Sequence, residues 1–343
     1  MDIRKPKPSG VIAAGNFIVD SVNTVDEYPL QDELTIVRDQ TKSNGGGPYN
    51  LLRGLAALGA KFPLQAVGLV GEDALADWII RDCAAHGIAT DMLAKAKDVG
   101  TSWTEVMSVR STGRRTFFHH PGANAKLDLN GIDFSRSNAK IFYLGYLTML
   151  DALDASDADG RTMASHVLER AGKAGLITVS DLVSRHHPDF RGIVASAAPH
   201  LDYLFLNELE AGWLLDRDLS AEVVKLDQLA EAAEEILGFG IKKAVVLHRA
   251  QGAAYAGSEV TRFVQPAVDV PTQLIQSAVA AGDAFAAGFI LGLHEGRDAE
   301  TSLLYAVSAA ASCITSDTAT DGIGPIKDCL ALAETHGFVR VSK

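Results

Sequence analysis

The chain has 343 residues, of which 47% are hydrophobic and 22% charged, and a formal net charge of -12; this is an ordinary globular composition, which excludes a disordered or fibrous polymer. The acidic balance, with no long Lys/Arg run, excludes a nucleic-acid binder that tracks a phosphate backbone, and no uninterrupted apolar run approaches the roughly 20 residues that span a bilayer. Cys83, Cys313 and Cys329 are far apart and too few for a disulfide framework, so a cytoplasmic protein of enzyme size, without nucleic-acid or membrane partners, is expected.

The opening MDIRKPKPSG reads as a short loose tail, because it leads into the strand-like VIAAGNFIVD and not into an apolar signal core. YNLLRGLAALG, PLQAVGLVG and DALADWIIRDCAAHG follow as helix, strand and helix. Two segments break this rhythm, residues 21–42 and 101–120; in the second, TSWTEVMSVRSTGRRTFFHH alternates apolar and polar residues around a Ser-Thr-Gly-Arg turn. Both are expected to form antiparallel strands outside the main sheet. They make a small lid over the active site or, on the plainer alternative, an edge hairpin with no role in ligands. KIFYLGYL, a helix from Arg161 to Ala174, LITVSDLV, DYLFLN and KKAVVL then resume the alternation. Strands this apolar belong in a parallel sheet covered on both faces. The expected architecture is a single domain over 1–343, a three-layer doubly wound α/β fold with a mostly parallel sheet and an inserted β lid.

Three stretches carry chemistry. Asn44-Gly45-Gly46-Gly47-Pro48-Tyr49-Asn50 runs straight into a helix. Its glycines let backbone approach a ligand and Asn50 offers both a donor and an acceptor, although hinge glycines at a lid would look the same. No Lys-Ser/Thr follows, so it is not a P-loop, and it is not the GxGxxG of a dinucleotide site. Asn207-Glu208-Leu209-Glu210 closes one strand and opens a helix, placing carboxylates at the sheet edge where open α/β sheets bind ligands; glutamates in a first turn also serve as dipole partners. Ala280-Ala281-Gly282-Asp283 precedes a buried helix on which Phe285, Phe289, Ile290 and Leu293 share a face. Such a start offers free N–H groups to an anion, while an Asp there is equally a simple cap.

Taken in order, these stretches resemble the ribokinase-like PfkB family of carbohydrate and nucleoside kinases over nearly the whole chain. The carrying residues are Gly15, Asn16 and Asp20; Gly45, Gly46 and Asn50; Pro121 to Asn124; Asn207 and Glu210; and Ala280, Ala281, Gly282 and Asp283. The resemblance implies an ATP-dependent kinase of a sugar, sugar acid or nucleoside. Asp283 is then the base, the amides of Ala281, Gly282 and Asp283 the anion hole, and Asn16, Asp20, Gly45, Gly46 and Asn50 the substrate contacts. It further implies Asn207, His248 and Gly252 on the nucleotide, Glu210 on Mg2+ through water, and a homodimer that pairs lid strands.

The match departs at three places. Ser277-Ala278 replaces the family's Asp-Thr, so its monovalent-cation site does not carry over. Ala280 replaces a glycine and would be strained if that position needs a positive φ. Leu247-His248-Arg249-Ala250-Gln251-Gly252 keeps only the last glycine of the nucleotide strand, and both His248 and Arg249 read equally as phosphate ligands or as structural residues. Arg114 and Arg115 at the lid tip meet an acidic substrate or simply form an exposed turn. His119 and His120 face opposite sides of a strand and are a poor metal pair; Trp103 and Phe117 are expected to shape the acceptor pocket. A non-catalytic binding protein on the kinase fold is the alternative to an active kinase, and a dehydrogenase lacks its glycine fingerprint.

Overall fold

The computed structural model describes residues 7–112, 114–221, 224–259 and 261–340, so most of the expected tail and Gly113 of the lid turn lie outside the described residues. The strands are β1 Val11–Gly15, β2 Ile18–Val25, β3 Val37–Gly45, β4 Leu64–Gly71, β5 Ile88–Ala96, β6 Ser102–Val109, β7 Arg115–His120, β8 Ile141–Gly145, β9 Ile177–Asp181, β10 Tyr203–Asn207, β11 Ala244–Arg249, β12 Gly252–Gly257 and β13 Thr261–Pro266. The helices are α1 Gly47–Leu58, α2 Ala74–Ala85, α3 Asp151–Asp154, α4 Met163–Lys173, α5 Phe190–Ala197, α6 Glu208–Leu215, α7 Leu226–Leu237, α8 Ala281–Glu295, α9 Ala299–Cys313 and α10 Ile326–His336.

Among the described residues, nine strands form one sheet in the order β13-β12-β11-β10-β9-β8-β1-β4-β5 and four form another in the order β3-β2-β6-β7. The large sheet is parallel from β11 to β5, and β12 and β13 add an antiparallel edge. Alternation along β1 sends Val11 and Ala13 into one core and Ile12 and Ala14 into the other. The first core takes α1, α8 and α9 through residues such as Leu55, Phe289 and Leu303; the second takes α4, α5 and α7 through Leu168, Ile193 and Leu229. Burial on both faces is the reason these strands read as unbroken apolar runs.

Three sequence expectations shift. VIAAGNFIVD is two strands, not one: β1 ends at Gly15, whose φ is 127°, and β2 starts the small sheet at Ile18. A Cβ at Gly15 would overlap the Gly145 carbonyl, so only glycine allows this turn beside β8. The small sheet accordingly begins at Ile18 and runs to Gly45, wider than the expected 21–42, while its second half, 102–109 with 115–120, falls within 101–120. Its central pair, β2 with β6, is parallel where antiparallel strands were expected, because the two come from distant segments that enter from the same side. The helix expected from Arg161 begins at Met163, where Thr162 accepts a hydrogen bond from the Ser165 N–H and stops it.

Candidate active site

The parallel strands deliver their last residues to one edge. Asn16 follows β1, Tyr146 follows β8, Asp181 and Asn207 end β9 and β10, and His248 lies near the end of β11. This is the carboxyl edge at which open α/β sheets hold ligands.

Asp283 stands at the centre. It is not a cap: the N-cap of α8 is Ala280, with φ 56° and no side-chain cap bond, and Asp283 lies in the first turn with its carboxylate turned inward, 6% exposed. Asn50 Nδ2 donates to Oδ2 at 2.8 Å, and the Tyr146 hydroxyl donates to Oδ1 at 2.7 Å and Oδ2 at 2.9 Å. Burial raises its pKa to about 6 against the lowering effect of those two donors. Beside it, the N–H groups of Gly282 and Asp283 have no acceptor among the described residues, and the helical ladder starts only with Ala284 N–H to Ala280. Ala280 therefore does adopt the positive φ that its glycine-to-alanine change puts under strain.

Asn50 is itself aimed. Asn44 Nδ2 donates to Asn50 Oδ1 at 2.7 Å, and Thr320 Oγ1 donates to Asn44 Oδ1 at 2.9 Å, giving a buried chain from the loop after α9 to Asp283. Asp20, on lid strand β2, sits against Gly45, where a Cβ would stand 2.5 Å from its carboxyl. Burial lifts Asp20 to about 7, offset by Thr104 and Arg115 and reinforced by the negative charge of Asp283. Gly46, with φ 88°, is the N-cap of α1. Asn16 is fully buried and committed to backbone: its Oδ1 accepts from Tyr146 N–H at 2.7 Å and its Nδ2 donates to the Met149 carbonyl at 3.1 Å.

The lid adds a cross-strand row of Asp20, Thr104 and His119, in which Thr104 Oγ1 and His119 Nδ1 are 3.0 Å apart. Burial lowers His119 to about 4, so the ring is neutral at working pH. His120 stacks on Trp103 at 5.4 Å, and this pair occupies the other face of the lid from Asp20. The expectation that Trp103 shapes the acceptor pocket is therefore corrected by the strand alternation. Arg115 shares the face of Asp20; its Nη2 donates to the Asp317 carbonyl at 3.0 Å, while Nε and Nη1 are buried without an acceptor. Arg114 is exposed.

On the other side, Asn207 and Glu210 form a reciprocal capping box at α6. Glu210 Oε1 accepts from Ser184 at 2.8 Å and Asn207 Nδ2 at 2.9 Å, and Oε2 accepts from Asn207 N–H at 2.8 Å. Burial raises this carboxyl to about 7. A buried carboxylate with one lone pair left on Oε2 and no basic side chain paired to it fits an outer-sphere contact with a hydrated cation, and leaves little room for direct ligation. His248 packs on Phe285, 5.0 Å between rings, and against Gly282; burial lowers it to about 4, so it presents a neutral ring. Gly252 starts β12 with φ 150°, where a Cβ would be 2.9 Å from Leu226, and Arg249 bonds to Gln251 and the Val224 carbonyl. Sequence reasoning missed Tyr146, Asp181 and Asn44. Asp181, 4% exposed and driven well above the carboxylate range by burial, could have been found from its place at the end of LITVSD.

The family model for pfkB family carbohydrate kinases matches residues 10–324. Among curated proteins, the chain is 25% identical over 330 residues to a 5-dehydro-2-deoxygluconokinase of Clostridium tetani, covering 94% of this chain and 92% of the relative. It is 24% identical over 339 residues to the enzyme of the same name from Geobacillus kaustophilus, covering 96% and 95%. Among solved structures, Arabidopsis thaliana ribokinase complexed with ribose and ATP superposes with a TM-score of 0.77 at 22% identity, covering 95% of this chain and 99% of that one. Giardia lamblia ribokinase gives 0.78 at 17%, covering 96% and 99%. The two ribokinases share the fold.

Proposed function

Given that this chain belongs to the pfkB family of carbohydrate kinases, we propose that it moves the γ-phosphoryl of ATP onto a hydroxyl of a sugar acid, with Asp283 taking the hydroxyl's proton. The observation that carries this is the inward carboxylate of Asp283, buried and aimed by Asn50 and Tyr146 beside two N–H groups without acceptors. Phosphoryl transfer asks for positioning, a sink for charge on the equatorial oxygens and a proton acceptor. The N–H groups of Gly282 and Asp283 supply the sink, while the Ala281 N–H of the expected anion hole is engaged by the Ala278 carbonyl at 3.4 Å; losing one such donor typically costs about 3 kcal/mol.

Asp20, Gly45, Gly46 and Asn50 hold the acceptor, and Asn16 fixes the Tyr146 turn behind it. Asn207, His248 and Gly252 form the nucleotide side, where a neutral His248 acts by packing and hydrogen bonding and not by charge. Glu210 would hold the Mg2+ of Mg-ATP through water, and Mg2+ when bound neutralises the charge that develops between β- and γ-phosphates.

Two observations support an acidic acceptor. The curated relatives are named for a gluconate derivative, and Arg115 brings unmatched guanidinium donors to the Asp20 face of the lid. The test is ADP release with Mg-ATP against a panel of sugars, sugar acids and nucleosides. Turnover on a sugar acid is expected, falling by roughly 10²–10⁴ in Asp283→Asn. Persistent turnover in that variant would remove Asp283 from the role of base. A silent panel, with ATP or sugar still binding by calorimetry, would leave a non-catalytic binding protein on the kinase fold.

A further inference from the structure

We propose that Tyr146 is a positioning residue for the base: its phenol donates to both oxygens of Asp283, holds the carboxylate ionised and leaves one acceptor position on Oδ1 for the substrate hydroxyl. This rests on the reading of Asp283 as the base. A carboxylate offers about four lone-pair positions. Asn50 takes one on Oδ2, and the phenol, 2.7 Å from Oδ1 and 2.9 Å from Oδ2, reaches one on each oxygen. What remains is a single direction on Oδ1, so the proton of the attacking hydroxyl has one place to go.

The turn that carries the phenol is pinned through its backbone. Asn16 Oδ1 accepts from the Tyr146 N–H, and Asn16 Nδ2 donates to the Met149 carbonyl. Across the same turn, Thr148 and Leu150 N–H groups donate to Asp154 at 3.0 and 2.8 Å. Gly47 leaves the ring its space, since a Cβ there would stand 2.8 Å from Tyr146 Cε1 and 2.6 Å from the Tyr143 hydroxyl. A ring fixed this firmly acts as built-in scaffolding for the base, not as a substrate-dependent contact.

The electrostatic setting gives the phenol its importance. The titratable groups around Asp283 are Asp20 on β2, Tyr143 on β8, Tyr146 after it, Asp181 on β9, Cys313 on α9 and His248 on β11, which packs against Gly282 and is neutral because burial lowers it to about 4; none of them is a cation. Arg115 acts on Asp20 and Cys313, and not on Asp283 itself. Burial lifts Asp283 to about 6, and Asn50 and Tyr146 are the two groups that oppose it. Burial and the surrounding carboxyls also keep the Tyr146 phenol protonated, so it remains a donor at any working pH. Without its hydroxyl, Asp283 would hold its proton further into the neutral range, where a protonated carboxyl cannot act as base.

The test is the pH profile of kcat/KM for the wild type, Tyr146→Phe, and a variant carrying 3,5-difluorotyrosine at 146, whose more acidic phenol is a stronger donor. The acid limb should move up by about one pH unit in Tyr146→Phe, a roughly tenfold loss near pH 6 that closes at alkaline pH, and move down in the fluorinated variant. Limbs that coincide in all three proteins, or a loss independent of pH, would overturn the proposal. Asp283→Asn run alongside isolates the base: if it keeps turnover, the reading of Asp283 fails on its own account. Should the wild type prove inactive, the carboxyl 13C titration of Asp283, assigned by its absence in Asp283→Asn, reads the same shift without turnover.

Discussion

Asp20, Asp283 and Glu210 are held at about 7, 6 and 7, and burial is the largest cause in each case. A carboxyl whose folded pKa exceeds its unfolded value binds its proton more tightly when folded. The stability it contributes is complete below the unfolded pKa near 4 and is lost as pH rises through the folded value. The ligand-free protein should therefore weaken between about pH 4 and pH 7, the window those groups define. Asp20→Asn keeps the side-chain shape and removes the ionisation. It should be more stable than wild type at pH 8, by on the order of 1–3 kcal/mol after allowing for the partial exposure of Asp20, and indistinguishable at pH 4. Urea unfolding at the two pH values measures this; equal differences at both would show that Asp20 is not desolvated in the way its burial indicates.

At the start of α8 the backbone and the chemistry ask for different things. Ala280 sits at φ 56°, a left-handed conformation that costs a residue with a Cβ about 1–2 kcal/mol. Ala280→Gly should stabilise the fold by about 1 kcal/mol, read as a higher denaturant midpoint, with turnover little changed. A drop in stability would mean that the methyl group contributes packing that outweighs the strain. The same element shows what a sequence can reveal. Asp283 and Asn50 were legible because each stands at a helix start, after small residues that mark a tight turn. Asn207 and Glu210 were legible from the strand-to-helix junction that contains them. Tyr146 was not, because KIFYLGYL reads as strand past Gly145, and the phenol meets Asp283 across 137 positions of chain. The break after Gly15 was equally hidden: the clash that demands glycine is with the carbonyl of Gly145 on the neighbouring strand, and no local pattern encodes it. Nor does local alternation announce that β2 and β6 pair in parallel.

On the molecule as a whole, the lid leaves apolar side chains in solvent. Leu34 is 86% exposed, Ile36 56%, Phe118 50% and Trp103 37%; Leu34 and Ile36 lie in the loop between β2 and β3, and Trp103 and Phe118 share the lid face opposite Asp20. Such clustering on a sheet with open edges fits a second copy packed there. Sedimentation should give twice the chain mass, 36.4 kDa for one copy, and Ile36→Asp combined with Phe118→Asp should return a monomer. A wild-type monomer at high concentration would leave this face without a partner of its own kind. Under the proposed roles, the acceptor meets groups from both sheets. Asp20 and Arg115 lie on the small sheet, whereas Asp283, Asn50 and the free amides belong to helices packed on the large one. If those roles hold, the site is wired as a coincidence gate with two inputs, one on each sheet, and current flows only when one molecule closes both. A water molecule would close neither, so ADP release without an acceptor should stay far below turnover, and an equal rate with and without acceptor would show that no such gate exists.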